Sequence, residues 1–235
     1  MDDLSIIGRH GFHYRLERQQ LSFGSSELTI AALKTPDQVI DAMFAHLERI
    51  GAPDLLNEYC PYFGCLWPAA RVLAEELVTR DLKSARVLEL GCGLALPGLV
   101  AGAMGADVTV TDAHPDVERF LALNQTLNPS IKRLRYLPID WRSPAHVGEY
   151  SIICGSDILY DKDHAEGVAA FCARHKAGLK EVIITDPGRP YAKDVIPAME
   201  RLGFQTHVTD VSLADGGERI LTVRTMRFVP EAAQD

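Results

Sequence analysis

The sequence predicts an α/β protein, a doubly wound Rossmann-like seven-stranded sheet that is mostly parallel with an antiparallel last strand, preceded by a small β/α extension. Three observations predict it. From about Leu82 onward, short apolar runs alternate with helical patterns, the mark of a parallel sheet with crossover helices. The first of those runs leads directly into the glycine-rich turn "ELGCGLALPG", Glu89 to Gly98. The last two runs are separated only by "SLADGG", too short for a helical crossover, so they must be antiparallel neighbours.

The extension comes first and spans residues 1–56. "FHYRLERQQLSF" and "LTIAAL" read as two strands around the turn "GSS". A helix follows with a capping box, in which Thr35 is the N-cap, Pro36 takes the first helical position and Gln38 lies three after the cap. Val39, Ile40, Met43, Phe44, Leu47 and Ile50 keep helical spacing, and Gly51 ends the helix. The main domain covers 57–230, with a tail at 231–235. It opens with "CPYFGCLWPAARVLAEEL", where Leu66, Ala69, Ala70, Leu73 and Leu77 form the core face of a helix and Pro68 sits in its first turn. The strands then read "ARVLEL", "ADVTVTD", "LRYLPIDW", "YSIICGSD", "EVIITD", "FQTHVTDV" and "ERILTVRTMRF". Helices fall on "LVAGAMG", on "HPDVERFLALNQTLNP", on about Ala165 to Lys176 and on about Ala192 to Leu202, stopped by Gly203.

Composition bounds the function. A chain of 235 residues, 47% hydrophobic and 24% charged, suits one globular unit with a real core. The formal net charge of −8 disfavours nonspecific nucleic-acid binding and agrees with a small molecule or a basic protein as partner. Nothing reads as a signal peptide, and no apolar run reaches the ~18 residues of a membrane span. The five cysteines, Cys60, Cys65, Cys92, Cys154 and Cys172, are odd in number and scattered, which suggests reduced thiols in a cytoplasm. Cys60 and Cys65 invite a metal reading, but no second cysteine pair or histidine pair complements them, so no metal is expected.

The chemistry is concentrated at the carboxyl ends of the strands, where ligands bind in such sheets. Gly91 and Gly93 allow a sharp turn and close backbone approach. Asp112 ends the second strand, 21 positions after Gly91, the place for a carboxylate that accepts both hydroxyls of a ribose. A dinucleotide would want a third glycine or an alanine where this loop has Leu96, and no basic residue lies near to meet phosphate. S-adenosylmethionine carries a ribose and adenine but no phosphate, and the E-x-G-x-G form, with Glu89 two before Gly91, suits its amino-acid end. The plain alternative is a tight strand–helix turn with no ligand.

Four stretches, "ELGCG", "TDAHPDVERFLALNQTLN", "IDW" and "GSDILY", together resemble the seven-β-strand class I methyltransferases, and more narrowly the branch that methylates lysine in proteins. That branch carries D-x-x-Y after the fourth strand, here Asp157-Ile158-Leu159-Tyr160. "PYFGCLWPAARVLA" and "TDPGRPY" resemble the "PYW…LWP" and "DPGRP" segments of the electron-transfer-flavoprotein β-subunit lysine methyltransferases, with "PYF" in place of "PYW". The resemblance spans roughly residues 58–195. It implies S-adenosyl-L-methionine as methyl donor and a protein lysine as acceptor. It also implies roles. Trp67 would lie against the donor at the pocket lip, and Gly91, Cys92 and Gly93, with Glu89, would meet its methionine end. Asp112 would take the ribose, Asp140 and Trp141 the adenine, and Ser156 would line the donor site. Asp157 and Tyr160 would face the acceptor, Asp157 first as a binding residue for the incoming ammonium and second as a base. Tyr160, Phe63 or Trp67 would supply an aromatic wall for a methylated ammonium.

Plainer roles stand beside these. Asp157 at a strand end would cap the following turn, and Tyr160 would pack on the core rim. Asp186 and Arg189 would form a turn with an internal ion pair, or else contact the acceptor. His114 reads as a helix-start residue. The fourth strand ends in "SDILY", without the N/D-P-P-Y/F tetrad of enzymes that methylate nucleic-acid amines, which with the acidic charge argues against DNA or RNA as acceptor. Three other functions share the scaffold: a small-molecule N- or O-methyltransferase, a non-catalytic S-adenosylmethionine-binding module, and a nicotinamide oxidoreductase.

Overall fold

The computed structural model of the protein describes residues 4–214 and 220–231. It begins with three strands, β1 (Leu4–Ile7), β2 (His13–Phe23) and β3 (Ser26–Leu33), which form an antiparallel sheet in that order. The sequence showed two of them. β1 is only four residues long, with alternate residues half-buried, too short for its pattern to stand out. The β2–β3 hairpin turns on two residues, with Gly24 at φ +57, a left-handed value that favours glycine.

Helix α1 (Pro36–Arg49) buries Val39, Met43 and Leu47. Phe44 and Ile50 keep the helical spacing yet remain 40% and 44% exposed, so the apolar stripe is wider than the face that docks. The capping box does not form. Thr35 has a left-handed backbone, φ 52, which turns its hydroxyl to its neighbour's carbonyl (Lys34, 2.7 Å) and to the Gln38 amide oxygen (3.3 Å) instead of an orphan backbone N–H. A single helical turn α2 (Leu56–Tyr59), a 3₁₀ turn (Pro61–Gly64) and helix α3 (Pro68–Val78) complete the lead-in.

The remaining elements are β4 (Arg86–Leu90), α4 (Leu96–Ala103), β5 (Asp107–Thr111), α5 (Val117–Leu127), β6 (Arg135–Leu137), β7 (Ile152–Ser156), α6 (His164–Arg174), β8 (Glu181–Asp186), α7 (Val195–Arg201), β9 (Phe204–Ala214) and β10 (Ile220–Pro230). Seven strands pair in the order β6-β5-β4-β7-β8-β10-β9. Neighbours among the first five are parallel, and β10 runs antiparallel to both β8 and β9. The strand order reverses between β4 and β7, so the crevice of a doubly wound sheet opens there.

Each face of the sheet carries its own core. Val87 of β4 joins Leu73, Leu99, Phe120 and the extension's Tyr14 and Ile30 on one side. Leu88 and Leu90 join Ile153, Phe171, Met199 and Phe228 on the other. The alternation of β4 therefore places Glu89 on the α4 side, fully buried. Its Oε2 accepts a bond from the Gly98 N–H in the first turn of α4 (2.8 Å), and a methyl group on Gly98 would lie 2.7 Å from that oxygen. Strand and helix are thus clamped back to back. Burial, with Asp112 nearby, raises the Glu89 pKa to about 8 against the pull of the Gly98 bond.

The extension is bonded into the main body. Asn124 of α5 and Asn128, which caps its carboxyl end, face the outer edge of β3 and act as a surrogate strand. Asn124 accepts from the Ala31 N–H (2.8 Å), while Asn128 accepts from the Thr29 N–H (2.9 Å) and donates to the Thr29 carbonyl (2.8 Å). The buried Tyr14 hydroxyl donates to the buried Asp116 carboxylate (2.8 Å), whose other oxygen accepts from the Arg9 N–H (2.8 Å).

Two outcomes follow. Asn124→Ala strands buried backbone groups and lowers the unfolding free energy by about 2–3 kcal/mol in urea titration, whereas Thr126→Ala, on the exposed face of the same helix, changes it by less than about 0.5 kcal/mol. Glu89 has a raised folded-state pKa, so between about 4.5 and 8 the folded protein binds more protons than the unfolded chain, and stability falls as pH rises through that window. Unfolding measured from pH 5 to 9 therefore shows a shallower pH dependence for Glu89→Gln than for the wild type, by up to ~1.4 kcal/mol per pH unit.

Candidate active site

Most residues singled out from the sequence lie at the carboxyl ends of β4 to β8, with Trp67 just before α3. At the end of β4 the chain turns on Gly91 (φ 59) and Gly93 (φ 50). A methyl group on Gly91 would lie 2.8 Å from Ile158 and 3.1 Å from the Trp141 ring, and one on Gly93 would lie 2.7 Å from the Phe63 carbonyl oxygen. Both glycines are required by what presses on them. The Cys92 N–H donates to the Thr111 carbonyl (2.9 Å), and its side chain is buried, which raises its thiol pKa well above the usual range and leaves it inert.

Asp112 follows β5. One oxygen accepts from the Gly93 N–H (2.9 Å) and the other from the His114 N–H (2.8 Å). Burial raises its pKa while these bonds lower it. The turn into α5 is built by the next residues, since His114 Nδ1 accepts from the Asp116 N–H (3.1 Å), a helix-start role. Burial lowers the His114 pKa to about 4, so its ring is neutral near pH 7. Phe63 packs on that ring at 4.0 Å between centroids and edge-on against Phe120 at 4.8 Å, which seats the Pro61–Gly64 turn on the glycine loop.

The pair expected at the adenine is held by contacts within the protein. Trp141 is buried behind the loop, its ring against Gly91 and Gly167 and 5.3 Å edge-on from His164, so it braces the glycine turn instead of presenting an open face. Its indole nitrogen, buried, has no hydrogen-bond partner among the described residues. The Asp140 carboxylate is engaged by the Arg142 guanidinium (Nε to Oδ2, 2.8 Å), a bond that lowers its pKa. Arg142, two residues on, was not singled out from the sequence.

Across the crevice, Ser156 ends β7 half-buried and Asp157 follows with a left-handed backbone, φ 54. The Asp157 side chain is 5% exposed and its two oxygens are held by one guanidinium, Arg189 Nε to Oδ1 at 2.8 Å and Nη2 to Oδ2 at 2.9 Å. Asp157 thus does not cap the turn after it. Nor do Asp186 and Arg189 form the ion pair within "DPGRP". Asp186 instead accepts from the backbone N–H groups of Gly188 (2.7 Å) and Arg189 (2.6 Å), fixing the turn that aims Arg189 at Asp157. The Arg189 guanidinium lies 5.9 Å from the Trp67 ring centroid. Trp67 donates its indole N–H to the Tyr62 carbonyl (3.0 Å), so the structure groups it with Arg189 and Tyr62 on the Asp157 side. Tyr160 is 58% exposed at the mouth, edge-on to His164 at 4.5 Å, and desolvation raises its pKa. His164, buried, pins the 157–160 segment by a ring-nitrogen bond to the Ile158 carbonyl (2.8 Å).

The donor side fits S-adenosylmethionine on the structure's own terms. Asp112 accepts backbone bonds on both oxygens, and the carboxylate keeps lone-pair capacity for a ribose hydroxyl. The buried Glu89 Oε1 has no hydrogen-bond partner among the described residues, and the loop Gly91–Gly98 carries no basic side chain for a phosphate. Among the described residues no cluster of histidine, cysteine, aspartate and glutamate has metal-site geometry. A separate groove of 570 Å³ between β2, α3 and β9, lined by Phe23, Arg71, Glu75 and Val211 among others, holds none of these residues.

Comparison with known proteins agrees with this geometry. The chain is 39% identical over 103 residues to the protein N-lysine methyltransferase METTL21A of Danio rerio, covering 40% of this chain and 47% of that protein. It is 28% identical over 141 residues to the electron transfer flavoprotein beta subunit lysine methyltransferase of the same organism, covering 57% and 53%. The matches span about half the length of these relatives. Among solved structures, magnesium protoporphyrin IX methyltransferase from Synechocystis, with bound S-adenosylmethionine, shares the fold at a TM-score of 0.57 and 16% identity, over 85% of this chain and 99% of that one. Residues 62–192, more than half of the sequence and the whole stretch from the Phe63 turn to the Arg189 segment, match the lysine methyltransferase family, and the chain belongs to it.

Proposed function

We propose that this protein transfers a methyl group from S-adenosylmethionine to the ε-amine of a lysine in another protein. One observation carries the reading. A buried carboxylate, Asp157, stands in cation-binding geometry just past β7, the strand next to β4 and its glycine loop, and the cation it holds lies 5.9 Å from the Trp67 ring centroid. The carboxylate already holds one side-chain cation, and an ammonium is matched to it in charge as a neutral hydroxyl is not. Family membership supports the same reading.

When bound, the donor supplies a methyl group on a sulfonium, activated for in-line displacement by the amine nitrogen. This chain has to bind the two partners, align them and exclude water. Asp112 and the loop Gly91–Gly93 hold the ribose and methionine ends, and Ser156 lines the floor between the sites. Asp157 captures and orients the acceptor, while Tyr160, exposed at the mouth, screens the amine as its proton leaves to water. A free lysine amine has a pKa of about 10.4, and both desolvation and the donor's positive charge lower it. A carboxylate pulls the other way, so Asp157 acts in capture and alignment before it acts in proton removal. The acidic chain supports a basic protein segment as partner over nucleic acid. Five unpaired cysteines support a cytoplasmic location.

The test is a labelled-methyl assay in cell extract. Label enters discrete protein bands, and mass spectrometry places it on lysine. Label confined to low-mass material would point to a small-molecule acceptor and sink the protein reading. In the same assay Asp157→Asn, which tolerates the left-handed backbone, reduces transfer ~100-fold with donor affinity within ~2-fold of wild type. Asp112→Ala weakens donor binding by calorimetry ~10–100-fold.

A further inference from the structure

Arg189 has no part in the reading above, yet it occupies the position the acceptor needs. Both Asp157 oxygens are taken by its fork at 2.8 and 2.9 Å. Resting on Asp157 as the acceptor carboxylate, we propose that Arg189 is a resident stand-in for the acceptor cation: it fills the acceptor subsite when no acceptor is present, and the acceptor's side-chain cation enters by replacing it.

Three features of the structure support the exchange. The partners are unequally buried, the Asp157 side chain 5% exposed and that of Arg189 38%. A buried carboxylate left alone is costly, so the guanidinium leaves only when another cation arrives, and a neutral acceptor has nothing to offer in return. The guanidinium itself loses little on leaving, because it already meets water. Next, the surroundings suit an alkylammonium as well as a guanidinium, with a carboxylate floor and the Trp67 indole as a wall. Last, the main chain beneath Arg189 is anchored independently of its side chain. The Arg189 N–H is held by Asp186, as is that of Gly188, whose φ is +94 and whose Cα faces open space. The side chain is free to swing outward from a fixed base, past the exposed Pro187 and Gly188.

Arg189 would therefore set specificity by competition, admitting acceptors with a primary ammonium or guanidinium group and rejecting hydroxyls and thiols. The probe is n-butylammonium chloride, titrated at constant ionic strength against the wild type, Arg189→Gln and Arg189→Lys, followed by tryptophan fluorescence, with n-butanol as the neutral control. Arg189→Gln binds the ammonium at least ~10-fold more tightly than wild type, and Arg189→Lys, which keeps the charge but loses the fork, falls between them. n-Butanol shows no difference among the three. Unchanged donor affinity by calorimetry establishes that each variant is folded, and if Arg189→Gln fails to fold, Arg189→Lys decides. Ammonium binding in the wild type that the variants do not improve would overturn the stand-in role while leaving Asp157 as the acceptor site. No ammonium binding in any of the three would overturn the placement of the acceptor at Asp157 itself, and the stand-in role with it.

Discussion

Five carboxylates crowd one edge of one sheet, and the surrounding structure is arranged to keep each supplied with donors. Glu89 draws on the first turn of α4, Asp112 on the backbone of Gly93 and His114, and Asp186 on the backbone of Gly188 and Arg189. Asp140 and Asp157 draw on arginines. Like charges gathered in a low-dielectric edge repel, and only local hydrogen bonds or counter-charges make the gathering tolerable. The glycine loop, the α4 start, the turn into α5 and the "DPGRP" turn all take their shapes from meeting that demand.

The supply divides the site. Glu89, Asp112 and Asp186 are served by neutral backbone dipoles, and burial raises the pKa of each. Asp140 is served by Arg142, which lowers its pKa. Carboxylates met by N–H groups can still take hydroxyls or an amino group from a ligand, because their charge is only partly compensated. A carboxylate met by a full guanidinium is electrically closed until that cation moves. Glu89, Asp112 and Asp186 thereby keep capacity for a further donor, while Asp140 and Asp157 are each matched by an arginine. The two sides join through the Pro61–Gly64 turn, whose Phe63 carbonyl rests on Gly93 while the adjoining Tyr62 carbonyl holds the Trp67 indole.

Local patterns carried most of the fold. Apolar runs of strand length, the paired glycines, and a six-residue link between the last two strands each depend on neighbours in sequence, so the seven-stranded sheet and its antiparallel strand were legible. Asp112 was legible for the same reason, as a strand-end acid at a set distance from a glycine turn. The partners of the acids were not. Arg189 lies 32 residues from Asp157, and nothing in "DPGRP" says that its arginine looks outward to another strand and not inward to its own aspartate. Asn124 and Asn128 carry no local signal of a partner, and their pairing with β3 depends on a hairpin 93 and 99 residues away. The capping box failed on a backbone angle that composition does not reveal. The contacts of Trp141 were not legible either, since Gly91, 50 residues before it, and Gly167 make room for its ring.

The asparagine pair on α5 has one more consequence. A strand bordered by open N–H and C=O groups invites another chain to add to it. β3 offers no such border, because β2 covers one side and two side-chain amides occupy the other. The same amides tie that hairpin to the helix that begins just beyond Asp112. The hairpin's outer border and the start of the turn that Asp112 braces are therefore joined through a single helix.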